Sequence, residues 1–319
     1  MRPGESFPLL VEPVVPGVDL VEWAAANPAQ IDDMLLQHKA ALFRGFPVRD
    51  VAEFERFAKA CTRTLLSYTN RSTPRSQVSG DVYTSTEFPA DQSIPMHNEM
   101  SYTRSWPMKL WFHCVTPSAT GGETPFADSA LVFQRLSPET RRAFADKGVM
   151  YVRNFGGGVD LSWQDVFQTS DRSVVEAYCR DNDIELEWRS GDRLRTRQRC
   201  QGVARHPVTG ETTFMNQAHL FNVHSLMPAV RDAMLSAFGK DELPRNSYFG
   251  DGSEIPVETL DEITRVYDET AIAFPWQAGD VVMLDNMRVA HGRRPFTGAR
   301  KIVVAMAEAY SAADGERQA

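Results

Sequence analysis

The stretch VVMLDNMRVAHGR, residues 281–293, joins a run of apolar residues to a single histidine near its end. The run Val281–Leu284 follows an Ala-Gly-Asp turn at 278–280 and predicts a buried strand. His291 comes after this strand, immediately before Gly292. A histidine at the end of a strand, beside a glycine turn, is well placed to complete a metal site.

Other apolar runs between glycine and proline turns extend the same pattern along the chain. Strands are predicted at 40–46, 107–116, 149–154, 184–189, 194–204, 212–215 and 301–308. Helices are predicted at 19–36, 51–61, 129–135, 173–181, 228–238 and 257–274, with a further one opened by Ser137-Pro138-Glu139. Many short strands with several helices favour a β-sandwich or jelly roll with helical insertions.

Composition limits the classes of protein and of partner. The 319 residues are 42% hydrophobic and 24% charged, which is typical of globular proteins. No repeat or low-complexity linker divides the chain, so we expect a single domain over residues 1–319. The net charge is −8, and no basic stripe alternates with aromatic residues, which argues against nucleic acid as a partner.

The ends and the cysteines indicate a cytoplasmic protein. The amino terminus MRPGESFPLLVEP lacks the long apolar region of a secretory signal, and no run of about 18 apolar residues predicts a membrane helix. Cys61, Cys114, Cys179 and Cys200 show no CxxC spacing, so four reduced thiols are expected rather than a disulfide framework or a cysteine zinc site.

The segment His97-Asn98-Glu99 supplies two more metal-binding side chains. Residues two apart on an extended segment point to the same face, so the imidazole and the carboxylate can reach one ion. An isolated His-X-Glu occurs by chance in many chains. Together with His291, however, it makes a facial triad of two histidines and one carboxylate, which leaves three positions of an iron ion open.

Arg300 follows His291 by nine residues and leads into the last predicted strand. The dicarboxylate 2-oxoglutarate chelates iron through its 2-oxo acid end and needs a fixed cation for its far carboxylate. An arginine suits that bidentate geometry. Lys301 is a rival for the same role, and a solvent-exposed Arg300 at a strand start is the simpler alternative.

Several short motifs are spread over most of the chain. They are Ala41-Leu42-Phe43-Arg44-Gly45-Phe46, His97-Asn98-Glu99-Met100-Ser101-Tyr102, Gly121-Gly122-Glu123-Thr124, Asn216-Gln217-Ala218-His219, Leu284-Asp285-Asn286, His291-Gly292-Arg293 and Val304-Ala305-Met306. Together they resemble the taurine dioxygenase (TauD/TfdA) superfamily of Fe(II)- and 2-oxoglutarate-dependent oxygenases, in particular its SyrP-like and clavaminate synthase-like branch. The resemblance implies an α+β fold with a double-stranded β-helix (jelly-roll) core and helical insertions.

The resemblance also implies roles for individual residues. His97, Glu99 and His291 correspond to the iron ligands, Thr124 to a hydroxyl donor for 2-oxoglutarate, and Arg300 to the partner of its far carboxylate. The implied cofactors are Fe(II), 2-oxoglutarate as co-substrate, and O2. Most of the superfamily has Asp where this chain has Glu99, but clavaminate-like relatives also have Glu. Related halogenases have a small residue there, so Glu99 favours hydroxylation over halogenation.

Substrate contacts are expected around a polar break in the chain. The resemblance places Asn216, Gln217 and His219 near the mouth of the active site, although His219 could equally be a buried structural histidine. Arg153 ends a predicted strand and is a candidate ligand for a substrate carboxylate, against the simpler interpretation of ordinary surface polarity.

These features predict an oxygenase that hydroxylates an unactivated C–H bond of a small amino acid, free or tethered to a carrier protein. Its relatives suggest specialised metabolism, such as antibiotic biosynthesis. The same iron centre could instead catalyse desaturation, epoxidation or cyclisation. An alternative of another class is a jelly-roll binding protein without turnover. The oligomeric state, including a homo-oligomer, is left open.

The segment from Ser67 to Gln92 is rich in Ser, Thr, Pro, Asp and Gly and directly precedes His97. A long loop is predicted there, and long loops in compact domains are often lids. We expect part of it to order when substrate binds, because a reactive oxidant needs a closed site.

Overall fold

The computed structural model of the chain describes residues 7–67, 76–85 and 88–311. The strands are β1 Leu9–Val11, β2 Ala40–Phe43, β3 Gln77–Ser79, β4 Val82–Thr84, β5 Ile94–His97, β6 Ser105–Thr116, β7 Thr120–Gly121, β8 Phe126–Asp128, β9 Val149–Phe155, β10 Ile184–Arg189, β11 Arg193–Cys200, β12 Val203–Arg205, β13 Thr212–Phe214, β14 Arg245–Phe249, β15 Val281–Asp285, β16 Val289–Arg293, β17 Phe296–Thr297 and β18 Lys301–Ser311. The α-helices are α1 Leu20–Ala26, α2 Pro28–His38, α3 Val51–Ala60, α4 Ser129–Arg135, α5 Pro138–Lys147, α6 Trp163–Phe167, α7 Arg172–Asp181, α8 Ala218–Phe221, α9 Pro228–Phe238 and α10 Val257–Thr270.

The largest sheet has seven strands in the order β1-β2-β15-β6-β18-β4-β3. Strand β15, the apolar run of the opening motif, lies between β2 and β6 and is antiparallel to both. All five of its residues are buried, because the sheet is covered on both faces. This explains why the strand is continuously apolar rather than alternating.

Alternate side chains of these strands face two different layers. Met283 and Val303 pack against helices α1, α2 and α3 in one apolar cluster. Leu284 and Val304 point the opposite way and pack with Phe126 of the second sheet. The part of the space between the two sheets that these side chains fill is therefore apolar.

The second sheet has three strands, in the order β5-β16-β8. Strand β16 lies in the middle, so that His291 is opposite His97 on one side and opposite Phe126 on the other. The seven-stranded and three-stranded sheets form the jelly roll. The predicted α+β class with a jelly-roll core and helical insertions is confirmed.

The insertions lie between β8 and β15. They include a four-stranded sheet, β10-β11-β9-β14, together with helices α4 to α10. Apolar residues of β9 and β14, such as Tyr151 and Phe249, pack with Phe214 and Phe221 and with helix α10. This layer supports the second sheet from behind, and its residues reach the backbone around His97.

Several predicted elements differ from the observed ones for local reasons. The helix predicted over 19–36 is two helices, because Pro28 begins α2 and Asn27 ends α1. The strand predicted over 194–204 is interrupted at Gly202, where a Cβ atom would lie 2.2 Å from the Phe144 carbonyl oxygen. Helix α10 ends at Thr270 rather than at residue 274.

The prediction of one long loop from Ser67 to Gln92 is partly wrong. Strands β3 and β4 lie within it and pair with each other, and β4 also joins β18 at the edge of the large sheet. Residues 68–75 and 86–87 are outside the described residues, so the expectation of ordering on substrate binding stays a prediction. At the other end of the described residues, β18 continues to Ser311.

The expected state of the cysteines is confirmed. All four are buried and free. Burial raises the pKa of the Cys61 and Cys114 thiols to about 12, so these thiols stay protonated and unreactive at neutral pH. In the described part of the chain, none of the helices combines the length and apolar character needed to cross a membrane.

Candidate metal centre

Three buried side chains converge between the two sheets. His97 is the last residue of β5 and His291 is the middle residue of β16, and their ring centroids are 4.5 Å apart. Glu99 lies just beyond β5, with its Oε2 atom 3.8 Å from His291 Nε2. One possible ligand atom from each residue lies within 4.8 Å of the others. Two imidazole nitrogens and one carboxylate oxygen at this spacing suit a divalent iron ion.

The orientation of His97 is set by its own strand. Its Nδ1 atom lies 2.8 Å from the Pro95 carbonyl oxygen. A carbonyl only accepts hydrogen bonds, so Nδ1 carries the proton and the lone pair of Nε2 is left for a metal. The edge of Phe112 packs on His291, with ring centroids 5.0 Å apart. Both rings are thus held before any ion arrives.

Asn286 fixes the backbone of Glu99. Its Oδ1 atom accepts a hydrogen bond from Glu99 N at 2.7 Å, and its Nδ2 atom donates to the carbonyls of Glu99 and Pro107 at 3.0 and 2.8 Å. Asn98 donates in return to the Asn286 carbonyl at 2.6 Å. Since Asn286 ends the β15 segment, it ties the strand that leads to His291 to the segment that carries Glu99.

We expect Asn286→Asp to weaken Fe(II) binding by roughly 10- to 100-fold, the usual cost of losing a group that orients metal ligands. The carboxylate cannot donate to the two carbonyls, and it places a second negative charge beside the Glu99 backbone. Anaerobic titration with Fe(II) measures the change. Asn222→Asp is the matched control, because Asn222 bonds the Ser247 backbone in the insertion layer. Equal Fe(II) affinities of wild type and Asn286→Asp would contradict the role.

The predicted substrate residues Asn216, Gln217 and His219 bind backbone groups. Asn216 Nδ2 donates to the Gly202 carbonyl at 2.7 Å, and Gln217 Nε2 donates to the Asn98 carbonyl at 2.9 Å. His219 Nε2 donates to the Met96 carbonyl at 2.9 Å, and burial lowers its pKa to about 4, so it is neutral. The bonds of Gln217 and His219 thus support the segment around His97, whereas that of Asn216 holds the turn at Gly202.

Arg153 lies on β9 in the four-stranded sheet, not on the strands that carry the triad. It is buried, and its guanidinium carbon is 4.8 Å from the centre of the Phe155 ring. Its contact with a substrate carboxylate stays a prediction, and its burial argues against ordinary surface polarity.

Thr124 and Arg300 lie beside each other in the wall of a small cavity. Its volume is about 30 Å³, and its lining includes His97, His291, Phe112, Thr124, Arg293 and Arg300. Arg300 Nε donates to the Gly122 carbonyl at 2.9 Å, and its Nη2 is 3.5 Å from Thr124 Oγ1. The Thr124 hydroxyl also accepts from Trp276 Nε1 at 3.1 Å. The lining of the cavity therefore combines two of the metal-binding groups, His97 and His291, with a cation and a hydroxyl.

Arg300 is half-buried, and partial burial lowers its pKa to about 10, so it is charged at neutral pH. In the part of the chain that the structure describes, it forms no ion pair with a carboxylate. The neighbouring Lys301 is exposed. Of the two rivals, Arg300 is thus the one that faces the cavity.

This fold and this cluster define a mononuclear metal-dependent oxygenase with a jelly-roll core. The family described as "Taurine catabolism dioxygenase TauD, TfdA family" matches residues 5–306, and the chain belongs to this family. The predicted family and the predicted class of enzyme, an oxidoreductase of the dioxygenase type, are confirmed. The predicted cofactors, Fe(II) and 2-oxoglutarate, agree with this family and with the His97–Glu99–His291 cluster.

Individual relatives share most of the chain. The dapdiamide synthesis protein DdaC of Enterobacter agglomerans is 41% identical over 276 residues, 86% of this chain and 84% of its own. A clavaminate synthase-like protein of Arabidopsis thaliana is 31% identical over 324 residues, 95% of this chain and 94% of its own. The PvcB protein of Pseudomonas aeruginosa has a similar structure, with a TM-score of 0.54 at 17% identity, over 93% of this chain and 84% of that one.

Proposed function

We propose that the chain is an Fe(II)- and 2-oxoglutarate-dependent oxygenase, formed as one domain, in which His97, Glu99 and His291 hold the iron. The observation that carries the proposal is a shared cavity. His97 and His291, which lie within ligand distance of each other and of Glu99, line the same cavity as Thr124 and Arg300.

The residues that line the cavity would have separate roles in the reaction. Bound Fe(II), 2-oxoglutarate and O2 supply the oxidising chemistry, which couples decarboxylation of the 2-oxo acid to oxidation of a substrate C–H bond. Arg300 and the Thr124 hydroxyl bind the far carboxylate and so fix the co-substrate along the cavity. Phe112 and Ile302 give the cavity an apolar wall that excludes water. Glu99 occupies the position that a halide would need.

For the substrate we propose a small amino acid, free or as an aminoacyl group on a carrier protein, in a cytoplasmic pathway of specialised metabolism. Two similar proteins support the part of this proposal that concerns specialised metabolism. DdaC is named for dapdiamide synthesis, and PvcB is described as an Fe, alpha-ketoglutarate dependent oxygenase from an isonitrile synthetic pathway. Hydroxylation is the proposed outcome, and desaturation, epoxidation or cyclisation at the same centre is the second candidate.

A screen for succinate release tests the proposal. Fe(II)-loaded protein is incubated with 2-oxoglutarate, O2 and either free amino acids or aminoacyl thioesters on a carrier protein. We expect one substrate class to raise succinate release above the uncoupled background, with a product of changed mass. Anaerobic binding of Fe(II) and 2-oxoglutarate without succinate release from any substrate would instead favour a binding protein without turnover.

A further inference from the structure

Arg293 is a second cation in the cavity beside the triad. It lies two residues after His291 on β16, and it lines the same cavity as His97, His291 and Arg300. Only 6% of its surface is exposed. A buried arginine is rare unless an anion or a full set of acceptors compensates its charge.

The hydrogen bonds of Arg293 satisfy only part of its guanidinium group. Nη1 donates to the Phe88 carbonyl at 2.9 Å, and Nη2 donates to the carbonyls of Pro89 and Gln92. Nε is buried and has no hydrogen-bond partner among the described residues, and no carboxylate there forms an ion pair with Arg293. Neutral donors could hold these three carbonyls, so the loop alone does not account for a charged group.

Arg293 and Arg300 also share a neighbour. Their guanidinium carbons lie 5.1 and 5.6 Å from the centre of the Phe296 ring. The half-buried Glu123 acts electrostatically on Arg300, whereas no carboxylate among the described residues forms an ion pair with Arg293. The buried charge of Arg293 therefore favours an anion beside it in the cavity.

We propose that Arg293 is a second carboxylate-binding group of this cavity. The carboxylate has two possible sources. It is either the far carboxylate of the co-substrate, shared with Arg300, or a carboxylate of the substrate itself. This inference rests on the proposed function, because it takes the triad as the iron site and Arg300 as a ligand of 2-oxoglutarate.

The first arm of the test compares 2-oxoglutarate with 2-oxopentanoate, which has the same chain length but lacks the far carboxylate. Calorimetry on Mn(II)-loaded protein gives the affinity for 2-oxoglutarate divided by the affinity for 2-oxopentanoate. This ratio is measured for wild type, Arg293→Gln, Arg293→Lys and Arg300→Gln. A charged hydrogen bond is worth a factor of about 10 to 100 in affinity. If the carboxylate is the co-substrate's, Arg293→Gln lowers the ratio by that factor and Arg293→Lys lowers it less.

The ratio separates ligand binding from loop damage. Loosening of the segment around Phe88 and Gln92 would weaken both 2-oxo acids, because they share the same metal-chelating end, and would leave their ratio unchanged. Lys301→Gln is the control for removing a nearby positive charge, since Lys301 is exposed. Thermal unfolding of each variant verifies that it folds.

The second arm measures binding of L-amino acids and their carboxamides to protein saturated with Mn(II) and 2-oxoglutarate. If the carboxylate is the substrate's, wild type binds an acid better than its amide, and Arg293→Gln loses that preference while its 2-oxo acid ratio stays high. The inference is overturned if Arg293→Gln behaves as wild type in both arms. A wild-type ratio near one in the first arm contradicts the proposed 2-oxoglutarate site itself, which is a separate result.

Discussion

Replacing His291 by Ala is expected to abolish Fe(II)-dependent turnover while the fold persists. His291 is in the central strand of the small sheet and is the proposed ligand that joins the two distant segments of the site. Without it, His97 and Glu99 offer only two donors, which do not hold Fe(II) in the facial geometry. We expect a loss of activity on the order of 1,000-fold, equivalent to about 4 kcal/mol in the activation free energy.

The measurement combines anaerobic Fe(II) titration, succinate release and far-ultraviolet circular dichroism on one preparation. His224→Ala is the matched control, because His224 is a half-buried histidine in the insertion layer that pairs with Asp261 at 2.8 Å. The control should keep iron binding. If His291→Ala retains near-native Fe(II) affinity and activity, the proposed triad is wrong.

The sequence predicts the triad because the types of these residues and their spacing indicate a metal site. His97 and Glu99 were paired on the assumption of one extended segment, in which residues two apart share a face. In the structure the strand ends at His97 and Glu99 lies in the turn that follows, yet both side chains reach the same cluster. The partnership with His291 depended on recognising that buried strands from both ends of the chain meet in one core. Strand β15 and the β5–β16 pairing are the physical basis of that contact.

Other features of the site depend on where the side chains point, which the sequence alone does not specify. The polar residues Asn216, Gln217 and His219 were expected near the mouth of the site, whereas their hydrogen bonds run to backbone carbonyls. A polar side chain can serve a ligand or an unsatisfied peptide group, and only the geometry distinguishes them. Asn286 was visible within its motif, but its clamp on Glu99 spans 187 residues and has no local signal.

The strands inside the predicted loop were missed for a similar reason. Strands β3 and β4 are only three residues long each and are rich in polar residues. Strand β4 pairs with β18, a partner more than 200 residues away, and β3 pairs only with β4. Short edge strands of this kind have little periodicity to detect.

Replacing Arg300 by Gln is expected to raise the dissociation constant for 2-oxoglutarate by about 10- to 100-fold without removing iron. The charge of Arg300 has no carboxylate partner among the described residues, so the co-substrate would be its counter-ion. Glutamine keeps a donor near the Thr124 hydroxyl and the Gly122 carbonyl but loses both the charge and the fork of N–H groups. Fe(II) affinity should stay unchanged, because Arg300 is not one of the proposed metal ligands.

Arg300 and Lys301 are neighbouring cations, so comparing substitutions at the two positions is a strict test of the role of Arg300. Lys301 adjoins Arg300 in the chain but points to solvent, so Lys301→Gln should change the dissociation constant less than twofold in the same anaerobic titration. Arg300→Lys should recover part of the affinity lost in Arg300→Gln, since it restores a point charge without the planar fork. A co-substrate affinity that is unchanged in Arg300→Gln but reduced in Lys301→Gln would transfer the role to Lys301. It would also mean that the cavity between the triad and Thr124 is not where 2-oxoglutarate binds.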